Sequence, residues 1–539
     1  MLAGDIVQEA ARQELPFVAI GLFYRKGYFH QLVDSDGQHE IITETNPLDV
    51  PLQLAVDEKG ETILIEVPIE NRTVYAQVWR FAIGKNALLL LDTDHWKNSD
   101  ADRAITDQLY GGDQAHRIQQ ELVLALGGYR TLKRLGIEPT VYHMNEGHSA
   151  FLSLEITQSL LKKHEGNLQA AMDDARSQLV FTNHTLVAAG NDTFPKELVS
   201  QYLGSYAFST GLSIETVLNL GESGDGRFSM TMLALRMSRK ANAVSKVHAK
   251  EARKIWPEYN LHAITNGVHM PQWIAPELQA VLDEYVPEWR TNTGDPKAWK
   301  LVRKIPAKVL WDTHMKLKND LLTHIYNSDG ITLDPDVLTV VWARRFATYK
   351  RPDLLFSDLE RLKKLIFSSK RPIQVIVAGK AHPADAQGKQ IIEHIEYLAN
   401  YSLKRHAIFI DDYSIDLAKK LVAGADVWLN TPIFGLEASG TSGMKASANG
   451  AIQFTTPDGW AWEVDWYGIG YKLPIHKAET HIYSLFENKI APVYYHRNKQ
   501  DIPELWVSMM KETIATVAPQ FSSTRMVDQY VDDMYRPRR

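Results

Sequence analysis

Between about residues 335 and 460 the chain alternates short runs of β-branched and apolar residues with stretches of helical periodicity, and this alternation leaves few folds open. Residues 337–342, 373–378, 407–410 and 427–430, with a last run near 451–455, have the continuous apolar character of strands buried on both faces. A helix is expected to open at Pro352, whose fixed φ suits a first turn, with Leu354, Leu355, Leu359, Leu362 and Ile366 on its apolar face. A second carries Ile391, Ile392, Ile395 and Leu398, and a third lies around Leu417 to Val422. Repeated strand–helix–strand units predict a doubly wound, Rossmann-like parallel sheet whose ligands gather beyond the carboxyl ends of its strands.

The earlier half is less regular. Residues 17–20 read as a strand, 50–95 alternate like an antiparallel or mixed sheet, and 118–132 have helical spacing. Strands are expected again at 140–143 and 177–182, the latter ending beside Asn183 and His184. At 539 residues the chain exceeds what one core supports. The expected division is an N-terminal domain over 1–290, a C-terminal domain over 291–490, and helices over 491–539 that pack back across the junction. A cleft between two α/β domains suits the polar residues at the strand ends.

A formal net charge of -6 offers no general field for nucleic acid, so any anion must be held locally. With no cysteine, thiolate metal sites and a cysteine nucleophile are excluded, and the 19 histidines are scattered without His-Glu-x-x-His spacing, so no metal site is expected. No apolar run is long enough to span a membrane and no signal-peptide pattern opens the chain, so a cytoplasmic protein is expected.

Local anion binding has a candidate. Gly435, Gly440 and Gly443 surround Thr441 and Ser442 after a predicted strand and before a short helix holding Lys445. Small residues let backbone N–H groups approach an anion, and the helix N-terminus adds partial positive charge. The spacing lacks the Walker pattern, which disfavours a nucleoside triphosphate. A glycine-rich turn with a solvated lysine satisfies the same spacing. A second cationic group follows residue 342: Arg344 and Arg345, then Tyr349, Lys350 and Arg351 before Pro352. Taken alone such a charge run is more commonly a solvated surface cluster, but two groups at the carboxyl ends of one parallel sheet can converge on one crevice and hold two anions.

These residues resemble the α-glucan (glycogen, starch and maltodextrin) phosphorylase family, in its compact prokaryotic-type branch. The resemblance rests on Glu437-Ala-Ser-Gly-Thr-Ser-Gly-Met-Lys445 with Asn449-Gly450-Ala451, and on Arg344-Arg345-Phe-Ala-Thr-Tyr349-Lys350-Arg351. It extends to Gly379-Lys380-Ala381, Thr265-Asn266-Gly267-Val268, Thr182-Asn183-His184-Thr185, Asn145-Glu146-Gly147-His148 and Phe521-Ser522-Ser523. It implies two Rossmann-like domains facing a cleft, the glycosyltransferase-B arrangement. The implied reaction is reversible phosphorolysis of an α-1,4-glucan to glucose 1-phosphate with retention, using pyridoxal 5'-phosphate. Glucan and inorganic phosphate are the implied partners, with neither nucleic acid nor membrane, and a homo-oligomer is left open.

By the same resemblance Lys445 forms a Schiff base with the cofactor, while Lys350, Arg344, Gly440, Thr441 and Ser442 bind or flank the phosphate pair. Arg345 grips the substrate phosphate, so Arg345, Lys350 and His184 are the expected catalytic residues. Glu437, Ser439, Asn266 and His184 match positions that meet sugar hydroxyls, Tyr349 joins them on the substrate side, and Trp273 and Tyr413 lie near the cofactor. No role is implied for Asn145 or His148. The family's Gly-Gly-Leu-Gly loop and its strand would precede the residues at Met1-Leu2-Ala3-Gly4-Asp5, so a first domain truncated at its N-terminus is expected. That departure favours one alternative, a catalytically silent glucan- or cofactor-binding paralogue. A nucleotide-sugar-dependent glucan synthase of the same architecture does not need the loop lysine.

Overall fold

The computed structural model describes residues 2–34, 37–109 and 111–536 as a mixed α/β chain. The first half holds β1 (Val18–Leu22), a hairpin of β2 (His30–Asp34) and β3 (Gly37–Ile41), then β4 (Gln53–Leu54), β5 (Leu64–Ile69), β6 (Arg72–Ile83) and β7 (Asn86–Asp92). β5, β6 and β7 pair antiparallel and β1 runs parallel to β7, the mixed sheet expected over 50–95. Next come β8 (Tyr142–Asn145) and β9 (Leu179–Asn183), the short antiparallel pair β10 (Thr193–Phe194) and β11 (Phe228–Ser229), then β12 (Lys240–Ala243) and β13 (Leu261–Ala263). β8, β9, β12 and β13 form a parallel sheet in the order β13-β12-β9-β8.

The second half builds a six-stranded, wholly parallel sheet from β14 (Leu338–Ala343), β15 (Ile373–Ala378), β16 (Ala407–Ile410), β17 (Val427–Asn430), β18 (Ile452–Thr455) and β19 (Gly470–Lys472). Its order is β16-β15-β14-β17-β18-β19, so the chain winds outward from β14, returns, and continues on the other flank from β17. The loops after β14 and β17 therefore flank the point where strand order reverses, where a parallel sheet opens a crevice. Every residue of β14, β15, β17 and β18 is buried, which is why these strands read as unbroken apolar runs.

One expected element starts later. The helix placed at Pro352 spans Leu359–Ile366, because Arg351 turns into the left-handed region at φ 45° and Leu354–Phe356 makes a single 3-10 turn. Asp358 then caps the helix by accepting from the Arg361 N–H at 3.0 Å. The segment 118–132 is helical but widened at Val123–Gly127, where a Cβ on Gly127 would lie 2.7 Å from the Leu91 side chain of β7.

Two large cores result. One joins Leu22 to Leu261; the other joins Val268 to Phe521 and takes in Trp273, Leu282, Trp289 and Trp299. The residues between Val268 and Trp289, which a boundary at 290 gives to the first domain, thus pack in the second core. The helix Glu504–Gln520 belongs to that core as well, whereas Met526, Tyr530 and Met534 pack against Val180 and Ile264 of the first half. Among the described residues no helix is long and apolar enough to cross a membrane.

The second core encloses a charged knot. Asp426 accepts from Lys318 Nζ at 2.6 Å and from the Thr339 N–H at 2.8 Å, and is bonded to His314 Nε2 at 2.7 Å. Burial opposes ionisation of Asp426, but Lys318 and His314 outweigh it and hold the carboxyl below its ordinary value. Its contribution is complete above the unfolded value of 3.8 and is lost as pH falls through the lower folded value. Replacing Lys318 with Met strands this carboxylate and is expected to lower the unfolding free energy by about 3–5 kcal/mol in urea titrations at neutral pH.

Candidate active site

The loop after β14 carries Arg344, Arg345, Tyr349 and Lys350; the loop after β17 carries Glu437, Ser439, Gly440 and Thr441 and ends in the helix Ser442–Ala448. The two are stitched together. Thr431 Oγ1 donates to the carbonyls of Lys350 and Arg351, each at 2.9 Å, and the Ile433 N–H donates to the Tyr349 carbonyl at 2.7 Å. Lys350 Nζ donates to Glu437 Oε2 at 2.7 Å in a pair buried from both sides. The convergence expected of the two clusters is thus a direct contact.

Arg344 is buried, donating to Asn430 Oδ1 and, at 3.2 Å, to the Leu429 carbonyl. Burial pulls its pKa down and the Glu437 charge resists. Gly379 makes room for this arginine, since at φ 152° an added Cβ would lie 1.9 Å from the Arg344 carbonyl oxygen. Arg345 is exposed, and among the described residues it makes no hydrogen bond or ion pair. Burial alone would raise the Glu437 pKa, but Lys350, Arg344 and Arg345 hold it below the ordinary value. Three cations therefore face one carboxylate.

The glycine loop owes its shape to Asp458. One carboxylate oxygen accepts from the N–H groups of Gly435 and Glu437 at 2.9 and 3.0 Å, and the other accepts from Gly459 at 2.8 Å. Burial pushes Asp458 up to about 6. Gly459 is required: at φ 54° a Cβ would come within 2.3 Å of the Ser439 carbonyl oxygen. Thr441 precedes the first helical residue, Ser442, and its carbonyl accepts the Lys445 N–H at 3.3 Å.

Lys445 is buried, with Nζ 3.5 Å from the centroid of the Trp273 ring. Burial draws its pKa down to about 8 while the charge of Asp5 resists. Asn449, one turn on, donates to the carbonyls of Lys445 and Trp273 at 2.9 and 2.8 Å.

The first half of the chain closes on the same loop. Ser245, just after β12, donates through Oγ to the Ala438 carbonyl at 2.5 Å, and Thr265 Oγ1 donates to Glu463 at 2.7 Å. Asn266 is buried with its N–H bonded to the Val244 carbonyl at 3.1 Å, and its side-chain Oδ1, like Ser439 Oγ, has no partner among the described residues. His184 follows β9; its N–H donates to Glu146 Oε2 and its Nε2 to Asn145 Oδ1, both at 2.7 Å. Burial lowers the ring to about 4, so it is neutral and Nδ1 is left as an acceptor. The structure bonds His184 to Asn145 and Glu146, not to Glu437 or Ser439. Tyr349 lies under Lys350 Nζ, 5.0 Å from the ring centroid, and Tyr413 is driven up to about 12 by burial, against the pull of Arg344.

The sequence assigns no role to Asp5, Glu146, Ser245 or Asp458. Asp458-Gly459 has the signature of a turn, a signal that would have found the loop's brace. The other three act through contacts between residues far apart in the chain, for which spacing holds no signal.

A family model described as carbohydrate phosphorylase matches residues 129–535. The chain belongs to the carbohydrate phosphorylase family. It is 40% identical to the maltodextrin phosphorylase of Thermococcus litoralis over 99% of this chain and 68% of that protein. It is 36% identical to the glycogen phosphorylase of Aquifex aeolicus over 99% of this chain and 82% of that protein. The same identity holds to the glycogen phosphorylase of Mycobacterium tuberculosis, over 100% and 68% respectively.

A lysine with a pKa near 8 exposes its neutral amine at lower pH than an ordinary lysine of about 10.4. In the cofactor-free protein, amine labelling of Lys445 read by peptide mapping should be half-maximal near pH 8, with surface lysines titrating about two units higher.

Proposed function

We propose that this carbohydrate phosphorylase catalyses reversible phosphorolysis of an α-1,4-glucan, yielding glucose 1-phosphate with retention, and that Lys445 holds pyridoxal 5'-phosphate for it. The observation that carries this reading is the crevice itself: Arg344, Arg345 and Lys350 against the single carboxylate of Glu437, on the loop that leads to a buried lysine of depressed pKa. A glycosyltransferase-B arrangement accords with the parallel sheets of the two halves, each presenting strand ends to the glycine loop.

The residues present fit the cofactor. A buried amine near pKa 8 is largely protonated at neutral pH yet easily freed for bonding to an aldehyde. Gly440, at φ 77°, with Thr441 and Ser442 at the helix start, suits a phosphate approached by backbone N–H groups. When bound, the cofactor supplies a second phosphate that exchanges a proton with the substrate phosphate.

Phosphorolysis breaks the bond from the anomeric carbon to the glycosidic oxygen, which takes up a proton, and joins that carbon to a phosphate oxygen. Two phosphates in contact repel, so the chain's task is to hold them together. Lys350 and Arg344 supply fixed positive charge, and Arg345, without a partner of its own among the described residues, offers a planar fork for two oxygens of inorganic phosphate. No pair of carboxylic acids is needed to move the proton. Ser439 Oγ, Asn266 Oδ1 and the acceptor Nδ1 of His184 offer hydrogen bonds to glucose hydroxyls, with Tyr349 on the substrate side and Trp273 and Tyr413 on the cofactor side.

Incubation with maltodextrin and inorganic phosphate should release glucose 1-phosphate, and Lys445→Ala should abolish the release. Failure of the unmodified chain, folded and supplied with pyridoxal phosphate, would overturn the proposal. Arg345→Lys keeps the charge but loses the fork, so the KM for phosphate should rise roughly 10- to 100-fold, the equivalent of one charge-assisted hydrogen bond.

A further inference from the structure

Asp5 lies on the helix Leu2–Arg12, far in sequence from the lysine loop, and is buried to 1% exposure. Its Oδ1 accepts from the Trp273 indole N–H at 2.8 Å, while Oδ2, equally buried, has no hydrogen-bond partner among the described residues. Trp273 is the surface on which the Lys445 ammonium rests, 3.5 Å from the ring centroid. Trp273 is thus held at its ring nitrogen by Asp5 and at its backbone carbonyl by Asn449, whose amide also donates to the Lys445 carbonyl.

A buried carboxylate is a costly way to satisfy one indole N–H, because a neutral amide oxygen accepts the same bond without a charge to desolvate. What the neutral group lacks is attraction for a buried cation. Burial raises the Asp5 carboxyl above its ordinary value, and among the described residues the charges that oppose this are Lys445 and, more weakly, His269, which is itself held by the Glu9 carboxylate at 3.1 Å; Glu9 in turn pairs with Arg12 at 2.6 Å. The Lys445 charge is the stronger of the two, and Asp5 in turn is a charge that opposes the effect of burial on Lys445.

We propose that Asp5 is a positioning residue for Lys445, fixing the plane of Trp273 against the amine and supplying the buried countercharge that keeps the amine where it holds the cofactor. The proposal rests on the reading of Lys445 as the cofactor lysine. It adds that the first half of the chain controls at what pH the second half takes up its cofactor.

Asp5→Asn keeps an oxygen for the indole and removes only the charge. In the full chain without cofactor, the amine-labelling midpoint of Lys445 should fall by about one pH unit, a tenfold change in the balance of its two forms. The pH profile of pyridoxal phosphate uptake, read from cofactor absorbance on titration, should move down by the same amount, about one unit, because the neutral amine is the form that condenses with the aldehyde. Asp5→Glu, which retains the charge, should restore the midpoint. A labelling midpoint and uptake profile both unchanged in Asp5→Asn, with only the melting temperature lowered, would make Asp5 merely structural and overturn the proposal. Should Asp5→Asn not fold, Trp273→Phe decides: it keeps an aromatic face but breaks the pin, and an unchanged uptake profile there would equally overturn it. The labelling arm needs no cofactor, so failure of the unmodified chain to bind pyridoxal phosphate would sink the functional reading without being mistaken for failure of the Asp5–Lys445 pairing.

Discussion

The buried ion pair between Lys350 and Glu437, 2.7 Å long, is the contact on which the site depends. It joins the loops after β14 and β17 across the place where the sheet order reverses, and so turns two strand ends into one crevice. A carboxylate buried among Lys350, Arg344 and Arg345 stays ionised, and one negative charge among three positive ones leaves a surplus for anionic ligands. The Asp458 brace and the glycines at 440 and 459 then shape the approach to Lys445, each bond made to backbone so that side chains remain available.

The site is not the property of one half of the chain. Ser245 and Thr265 bond to the glycine loop and to Glu463, while on another side the hairpin β2–β3 clasps the second sheet: Lys380 donates to the Phe29 carbonyl at 2.8 Å and to Asp412 at 2.6 Å, and His30 bonds Asp412 at 2.8 Å. Asp5 adds a third tie that ends at the lysine itself. The loop of Lys445 is therefore tied to both halves of the chain, and the contact from Asp5 reaches Lys445 through Trp273.

Much of the second half was legible because burial on both faces writes itself directly into composition. β15, β16 and β17 fall on the expected residues, and β14 and β18 shift by one. β19, three residues including Gly470 and Lys472, is too short and too polar to announce itself. The helix at Pro352 was misplaced because local φ preference is a weak force beside the left-handed turn at Arg351 and the cap at Asp358. The cationic residues and the lysine were legible as motifs, since chemistry fixes their types. Asp5 was not, and Glu146 stood in a motif without a role, because their meaning lies in what tertiary packing brings to them: an indole and an amine for one, the His184 backbone for the other.

The central claim is that one lysine, Lys445, is made distinct from the rest by burial and held ready for an aldehyde cofactor. Borohydride trapping after incubation with pyridoxal phosphate near neutral pH, followed by peptide mapping, tests it most directly. The account predicts stoichiometric label on the peptide containing Lys445 and little elsewhere. Label spread over surface lysines, or none on Lys445 in the folded chain, would contradict it.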